Sequence, residues 1–355
     1  MAIDGFPSHP AAVSAEWLNG ILDDSESLVE QVTWEPIGTG QVGDSVRFFL
    51  THADGNSSTL AAKFAAEDEQ SRATATMLGL YAKEVQFYQQ IAPSLSARLP
   101  HTYHAQMDET GTQYILLFED LGPARIGNQL DGCKIGDACE AIKQAAAVHG
   151  GTWQKREIID SGWLRTPEPV VQQINALYPQ AQATFRERYA DTLQPEYMQL
   201  CEALAALPDL SAARLSPPQC VVHGDFRLDN LLFDVKGGAE AIAVLDWQTV
   251  VAGRAMTDIG YFMGTGIGDT LRRAHEDKLL DLYCREMGTH GVNLTRDDIW
   301  REYRIGALHG LFTAVFSAAF VERTERGDAN FLSMARGACS LALEHDSLGA
   351  IQEGA

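Results

Sequence analysis

Between Val32 and Phe64 apolar and polar positions alternate in short runs broken by glycine and polar turns. Val32-Thr33-Trp34 leads into a glycine cluster, and Val46-Arg47-Phe48-Phe49-Leu50 leaves it. After the turn Asp54-Gly55-Asn56 comes Leu60-Ala61-Ala62-Lys63-Phe64. Period-two runs punctuated in this way predict strands. Helical spacing over 73–91, stopped by Pro93, predicts a helix, and further strands are expected near 101–107 and 113–118 around Asp108-Glu109-Thr110-Gly111. Upstream, 12–22 reads as a helix in an N-terminal arm. Beyond Leu121 the period changes, and helical patterns run over 137–154, 168–189, 195–206 and 269–348, interrupted by 220–248. The chain therefore divides into a strand-rich lobe, 1–120, and a helix-rich lobe, 121–355, an α+β arrangement.

Composition narrows the function classes. A chain of 355 residues is long enough for two lobes, and its 45% hydrophobic content is that of an ordinary globular protein. The net charge of −21, from 27 basic and 48 acidic side chains with no basic block, argues against a nucleic-acid partner or an anionic membrane. Acidity of this kind is more often a solubility feature than a signal for a cationic substrate. The six cysteines are scattered without CxxC pairs, and Met1 leads into neither a basic start nor an apolar run. Reduced thiols in a cytoplasmic protein are the expectation. The nearly all-apolar stretch 305–321 carries His309 and two glycines and falls short of a bilayer span, so it reads as a buried core helix.

The chemistry concentrates at 223–230, His-Gly-Asp-Phe-Arg-Leu-Asp-Asn, and at Leu245-Asp246-Trp247. Leu231 to Phe233 and a Gly237-Gly238 turn between them predict a strand-turn-strand that sets two loops side by side. Transfer of a phosphoryl group to a hydroxyl needs a carboxylate for the hydroxyl proton and hard oxygen donors for magnesium. Asp225 is the candidate catalytic base, and Asn230 and Asp246 are the candidate magnesium ligands. Arg227 is placed to touch phosphate or to brace Asp225. Gly38, Gly40 and Gly43 spell G-x-G-x-x-G; because Val46 onward reads as a strand rather than a helix, a lid over nucleotide phosphates is expected in place of a dinucleotide turn. Lys63, at the end of a strand, is expected to clamp the phosphates, held by Glu84 of the following helix, although Glu84 could instead pair with Lys83 on the helix surface. Glu119 and Leu121 mark the passage between lobes, where backbone and apolar groups would hold the base of ATP. Asp258 is read as an acid that ties down the catalytic loop, or as an N-cap.

These residues resemble the aminoglycoside phosphotransferase/choline kinase superfamily, with its protein-kinase-like bilobal fold, over about 37–263. His223-Gly224-Asp225 through Asn230, followed by Asp246, is similar to that superfamily's catalytic and magnesium signature. Glu84-Val85-Gln86-Phe87-Tyr88, Leu117-Phe118-Glu119-Asp120-Leu121 and Asp246-Trp247-Gln248 look like its ecdysteroid-kinase-like, or CHK-kinase-like, branch. The resemblance implies ATP- and magnesium-dependent transfer to a hydroxyl of a small molecule, not of a protein. Trp247 stands where protein kinases carry the Phe of Asp-Phe-Gly, and Arg227 replaces an aromatic common in the branch, so neither an activation switch of that kind nor a steroid acceptor carries over. An antibiotic-modifying kinase and a nucleotide-binding scaffold without turnover are the alternatives. The acceptor is expected against the 150–216 insertion and the helices after Tyr261. Trp153, Trp163, Tyr261, Phe262, His309 and Phe312 are pocket candidates, with core the simpler reading.

Overall fold

The computed structural model describes residues 5–22, 27–38, 42–208, 210, 217–321 and 323–353. Its N-terminal half is one antiparallel sheet in the order β1 (Val29–Pro36), β2 (Gly43–His52), β3 (Ser57–Ala65), β5 (Tyr114–Glu119), β4 (Thr102–Met107). Alternation decides which face each residue occupies. Val46, Phe48, Leu50, Leu60, Ala62, Phe64, Ile115 and Leu117 form one buried face, covered by Val13, Trp17 and Leu18 of the arm, which carries helix α1 (Ala15–Ile21). Lys63, one residue out of phase with that set and paired across the sheet with Leu116, belongs to the opposite face.

That opposite face is covered by a helix. The stretch expected as one helix over 73–91 is two, α2 (Glu69–Met77) and α3 (Leu80–Gln90), separated at Gly79 with φ +68°. Tyr81, Glu84, Val85 and Tyr88 of α3 recur at i, i+3, i+4 and i+7 and are all buried. The stripe that seats α3 against the sheet thus carries a carboxylate in its middle, at the height of Lys63.

The second half is mostly helical. After the short strand β6 (Arg125–Ile126) come α4 (Ile135–Thr152), α5 (Arg156–Ile159), α6 (Glu168–Tyr189) and α7 (Pro195–Ala205). Then β7 (Cys220–Val222), β8 (Leu231–Asp234), the turn α8 (Val235–Gly238), β9 (Glu240–Val244) and β10 (Val251–Gly253) surround the site. The chain finishes with α9 (Met256–Thr265), α10 (Asp269–Thr289), α11 (Arg296–Phe320), α12 (Glu325–Glu344) and α13 (Ser347–Gln352). A capping box, Thr295 with Asp298, starts α11, worth about 1 kcal/mol. All of the apolar stretch 305–321 but its last residue lies in α11, where Ile305, Leu308, Leu311 and Val315 are buried in the core. Among the described residues no helix is long and apolar enough to cross a membrane.

Helix α9 is buried along almost its whole length, and α11 crosses it at backbone distance. A Cβ at Gly306 would collide with the Met256 carbonyl oxygen, so only glycine permits this approach. The helix that stands behind the loop at 223–230 is thereby gripped without slack. The whole is an α+β arrangement of a five-stranded antiparallel sheet and a mostly helical remainder.

Candidate active site

The candidate catalytic loop leaves β7, which pairs with β10 through Val222 and Val251. Gly224 follows at φ +81°, and a Cβ there would stand 2.6 Å from the Thr249 carbonyl oxygen, so the turn requires glycine. Asp258 of α9 accepts from the backbone N–H of His223 at 2.7 Å and of Gly224 at 2.9 Å, while His149 of α4 meets it at 3.2 Å. Asp258 is therefore the anchor of the loop rather than a helix cap. His223 bonds the Leu245 carbonyl through Nε2 at 2.8 Å and accepts from the Asp225 N–H through Nδ1 at 3.2 Å. One bond needs a protonated nitrogen and the other a bare one, which sets the tautomer. Histidine here is a strut between the two acidic loops.

The hairpin of β8 and β9 brings those loops together. Leu231 pairs with Val244, and the Leu245 N–H donates to the Asn230 carbonyl at 2.9 Å, so Asp246 emerges one residue beyond Asn230's partner. Asp246 adopts a left-handed conformation, φ 64° and ψ 65°. Its Oδ1 accepts from Lys63 Nζ at 2.6 Å, and Lys63 Nζ also donates to Glu84 Oε2 at 2.8 Å. Glu84 is 2% exposed, so its partner is Lys63 and not a surface neighbour. Burial alone would lower the Lys63 ammonium, but the two carboxylates more than reverse this and hold it well above its ordinary range. Burial pushes Glu84 up, with Lys63 opposing. Trp247 lies stacked on Phe87 of α3 at 4.0 Å and tilted against His223 at 4.6 Å, fully buried.

Asp225 receives donors on both oxygens. Tyr261 Oη donates to Oδ1 at 2.8 Å, while Arg227 Nε and Asn230 Nδ2 each donate to Oδ2 at 3.0 Å. Burial would raise the carboxyl, but the Arg227 guanidinium and the Tyr261 phenol hold it below its usual value. Arg227 thus braces Asp225, and its Nη1 reaches Asp229 at 2.9 Å. Asn230 also donates from Nδ2 to the Asp225 carbonyl at 2.9 Å, so its amide nitrogen faces Asp225 and its oxygen is the atom left for a cation. An amide oxygen and the Asp246 carboxylate are a donor pair that suits magnesium.

The remaining candidates fall around this centre. Gly43 opens β2 opposite Ala65, and a Cβ on it would sit 3.3 Å from Lys63 Cε, so the end of the glycine run lies beside the lysine. Gly38 is at φ +78°, and Gly40 lies outside the described residues. The Glu119 carboxylate accepts from Arg98 Nη1 at 2.6 Å, Lys236 Nζ at 2.5 Å and the His101 N–H at 2.8 Å. Leu121 packs with Val235 and Ala243, and its carbonyl accepts from the Lys236 N–H at 3.0 Å. Both residues fasten the sheet to the hairpin that carries Asp246. Of the aromatic candidates, Tyr261 and Phe262 are fully buried core, Phe312 stacks on Tyr178 at 4.6 Å, and Trp163 Nε1 donates to Gln90. The cysteines are free thiols.

Gln129 escapes sequence reasoning, and two of the pocket candidates, His309 and Tyr261, are bonded to the loop instead. Gln129 N–H donates to Asp229, its Oε1 accepts from the Leu228 N–H, and its Nε2 meets the Thr265 carbonyl, bracing the loop from 100 residues away. His309 of α11 bonds the Gly224 carbonyl at 2.8 Å. Tyr261 had one available signal, its position one helical turn after Asp258 on the same face.

A family model described as the ecdysteroid kinase-like family matches residues 46–295. Acyl-CoA dehydrogenase family member 11 of Rattus norvegicus is 30% identical over 113 residues, 28% of this chain and 14% of that protein. Acyl-CoA dehydrogenase family member 10 of Mus musculus is 51% identical over 41 residues, 12% of this chain and 4% of that protein. The matched stretch thus spans only a small part of these relatives. The solved GDP and kanamycin complex of APH(2")-IIia superposes with a TM-score of 0.51 at 11% identity, over 94% of this chain and 99% of that one, and shares the kinase-like fold. The chain belongs to the ecdysteroid kinase-like family.

Proposed function

We propose that this member of the ecdysteroid kinase-like family transfers the γ-phosphoryl group of ATP, with magnesium, to a hydroxyl of a small molecule. One observation carries the reading. Lys63, Glu84, Asp225, Asn230 and Asp246, drawn from a strand, a helix and two loops, form two hydrogen-bonded groups, Lys63–Glu84–Asp246 and Asp225–Asn230, set side by side by the Leu245–Asn230 backbone bond. Structural ion pairs do not require a lysine bonded to two carboxylates beside a second carboxylate–amide pair.

Each residue then has a task. The strand-rich half, 1–120, holds the nucleotide, and the helical half, 121–355, supplies the catalytic loop and receives the acceptor. Lys63, kept cationic by Glu84 and Asp246, anchors the phosphates, with Gly38, Gly40 and Gly43 above them. The backbone at Glu119 and Leu121 borders the base. Asn230 Oδ1 and Asp246 would hold magnesium, which, when bound, screens the charge on the phosphates. Asp225, kept ionised by Arg227, takes the proton of the acceptor hydroxyl. Positioning and electrostatics account for such a reaction.

The test is ADP formation from ATP and magnesium across a library of small alcohols and amino sugars. Acceptor-dependent ADP formation supports the reading. Tight nucleotide binding with no acceptor giving turnover would instead identify a scaffold.

A further inference from the structure

We infer that Tyr261 is the positioning residue that selects Oδ1 of Asp225 as the oxygen receiving the acceptor's proton, an inference that rests on the function proposed above. Oδ2 already accepts two donors, Arg227 Nε and Asn230 Nδ2, which use both of its acceptor directions. Among the described residues Oδ1 accepts from one donor, the Tyr261 phenol at 2.8 Å, and keeps one direction open. The phenol therefore completes the setting of the carboxylate's rotation and leaves one lone pair of Oδ1 free for the acceptor.

The phenol is itself immobilised. Tyr261 is fully buried, its ring meets His309 edge-on at 5.2 Å, and His309 is bonded to the Gly224 carbonyl at 2.8 Å. One turn earlier on the same helix, Asp258 holds the backbone N–H groups of His223 and Gly224. Helix α9 thus grips the loop at two points: Asp258 places the main chain and Tyr261 aims the side chain. The close crossing of α11 at Gly306 fixes the height of both. Burial and the neighbouring Asp225 push the phenol well above its ordinary range, so it remains a neutral donor.

In the transfer step the acceptor O–H bond breaks and its proton passes to Asp225 Oδ1. The acceptor oxygen bonds to the γ-phosphorus as the bond to the bridging oxygen breaks, releasing ADP, and the proton then leaves to water. Tyr261 keeps its own proton throughout.

Tyr261→Phe removes the hydroxyl and keeps the ring against His309. The expected result is a kcat roughly 10- to 100-fold lower, the range for one hydrogen bond to a charged group. KM for ATP stays within about twofold, because binding is not what the bond serves. A crystal structure of the variant should show the Asp225 carboxylate rotated about its side-chain torsions, with the backbone of His223 and Gly224 unmoved. An unchanged kcat, or an unrotated carboxylate, overturns the inference. So does a joint fall of kcat, ATP affinity and melting temperature, which marks a merely structural tyrosine. If the wild-type protein phosphorylates no acceptor, the functional reading fails by itself and the carboxylate torsion still decides the positioning claim.

Discussion

The two charged assemblies of the candidate site are built in opposite ways. Asp225, Arg227, Asn230 and Tyr261 all come from one stretch of 37 residues in the helical half, backed by α9. Lys63, Glu84 and Asp246 come from β3, α3 and the loop after β9, so their ion pairs join the sheet to the helical half. The first assembly is set by a scaffold that does not include the five-stranded sheet. The second exists only when the two halves stand in one relation. Under the proposed function the comparison separates the two requirements of phosphoryl transfer: proton acceptance would be preset, and phosphate anchoring would report how the halves are arranged.

The largest effect should come from the preset assembly. Asp225→Asn is expected to lower kcat about 10²- to 10⁴-fold while leaving ATP affinity nearly unchanged, measured by steady-state turnover and titration calorimetry. A parallel loss of nucleotide binding would show that the two assemblies are not separable. Lys63→Met acts on the bridging assembly and should do the reverse, weakening nucleotide binding. It also leaves Glu84 buried without its cation, at a cost of about 3 kcal/mol in denaturant unfolding. The tendency of Glu84 to take up a proton limits that cost.

A smaller effect concerns the fastening of sheet to hairpin. Burial would raise the Glu119 carboxyl, but Arg98 and Lys236 bring it from 4.5 to about 2. A carboxyl lowered on folding contributes stability that is present above pH 4.5 and lost as pH falls towards about 2. Melting temperature should fall across that window, and Glu119→Gln should flatten the dependence. The smallest effect is expected at Arg326, 62% exposed and 3.7 Å from Asp229. Arg326→Ala should change stability by no more than about 0.5 kcal/mol in the same unfolding assay.

What the sequence showed and what it hid follow from distance along the chain. Asp225, Asn230 and Asp246 were legible because a short hairpin dictates their proximity, and α6 came out with its expected bounds because nothing in 168–189 competes with helical spacing. Lys63 and Glu84 were legible because strand phase and helix stripe each select one face. The break at Gly79 was missed, since glycine inside a helical pattern does not declare whether it is tolerated or terminal. Gln129 and His309 reach the loop across 100 and 85 residues, and no local pattern encodes such a meeting. Tyr261 looked like ordinary core, which its ring is; only its hydroxyl belongs to the site.

The most direct test is a crystal structure with magnesium and a non-hydrolysable ATP analogue. The account predicts a cation about 2.0–2.1 Å from Asn230 Oδ1 and from an Asp246 carboxylate oxygen, with Lys63 on the phosphates and the terminal phosphate facing Asp225. A nucleotide bound elsewhere, or a cation held by other residues, would contradict it.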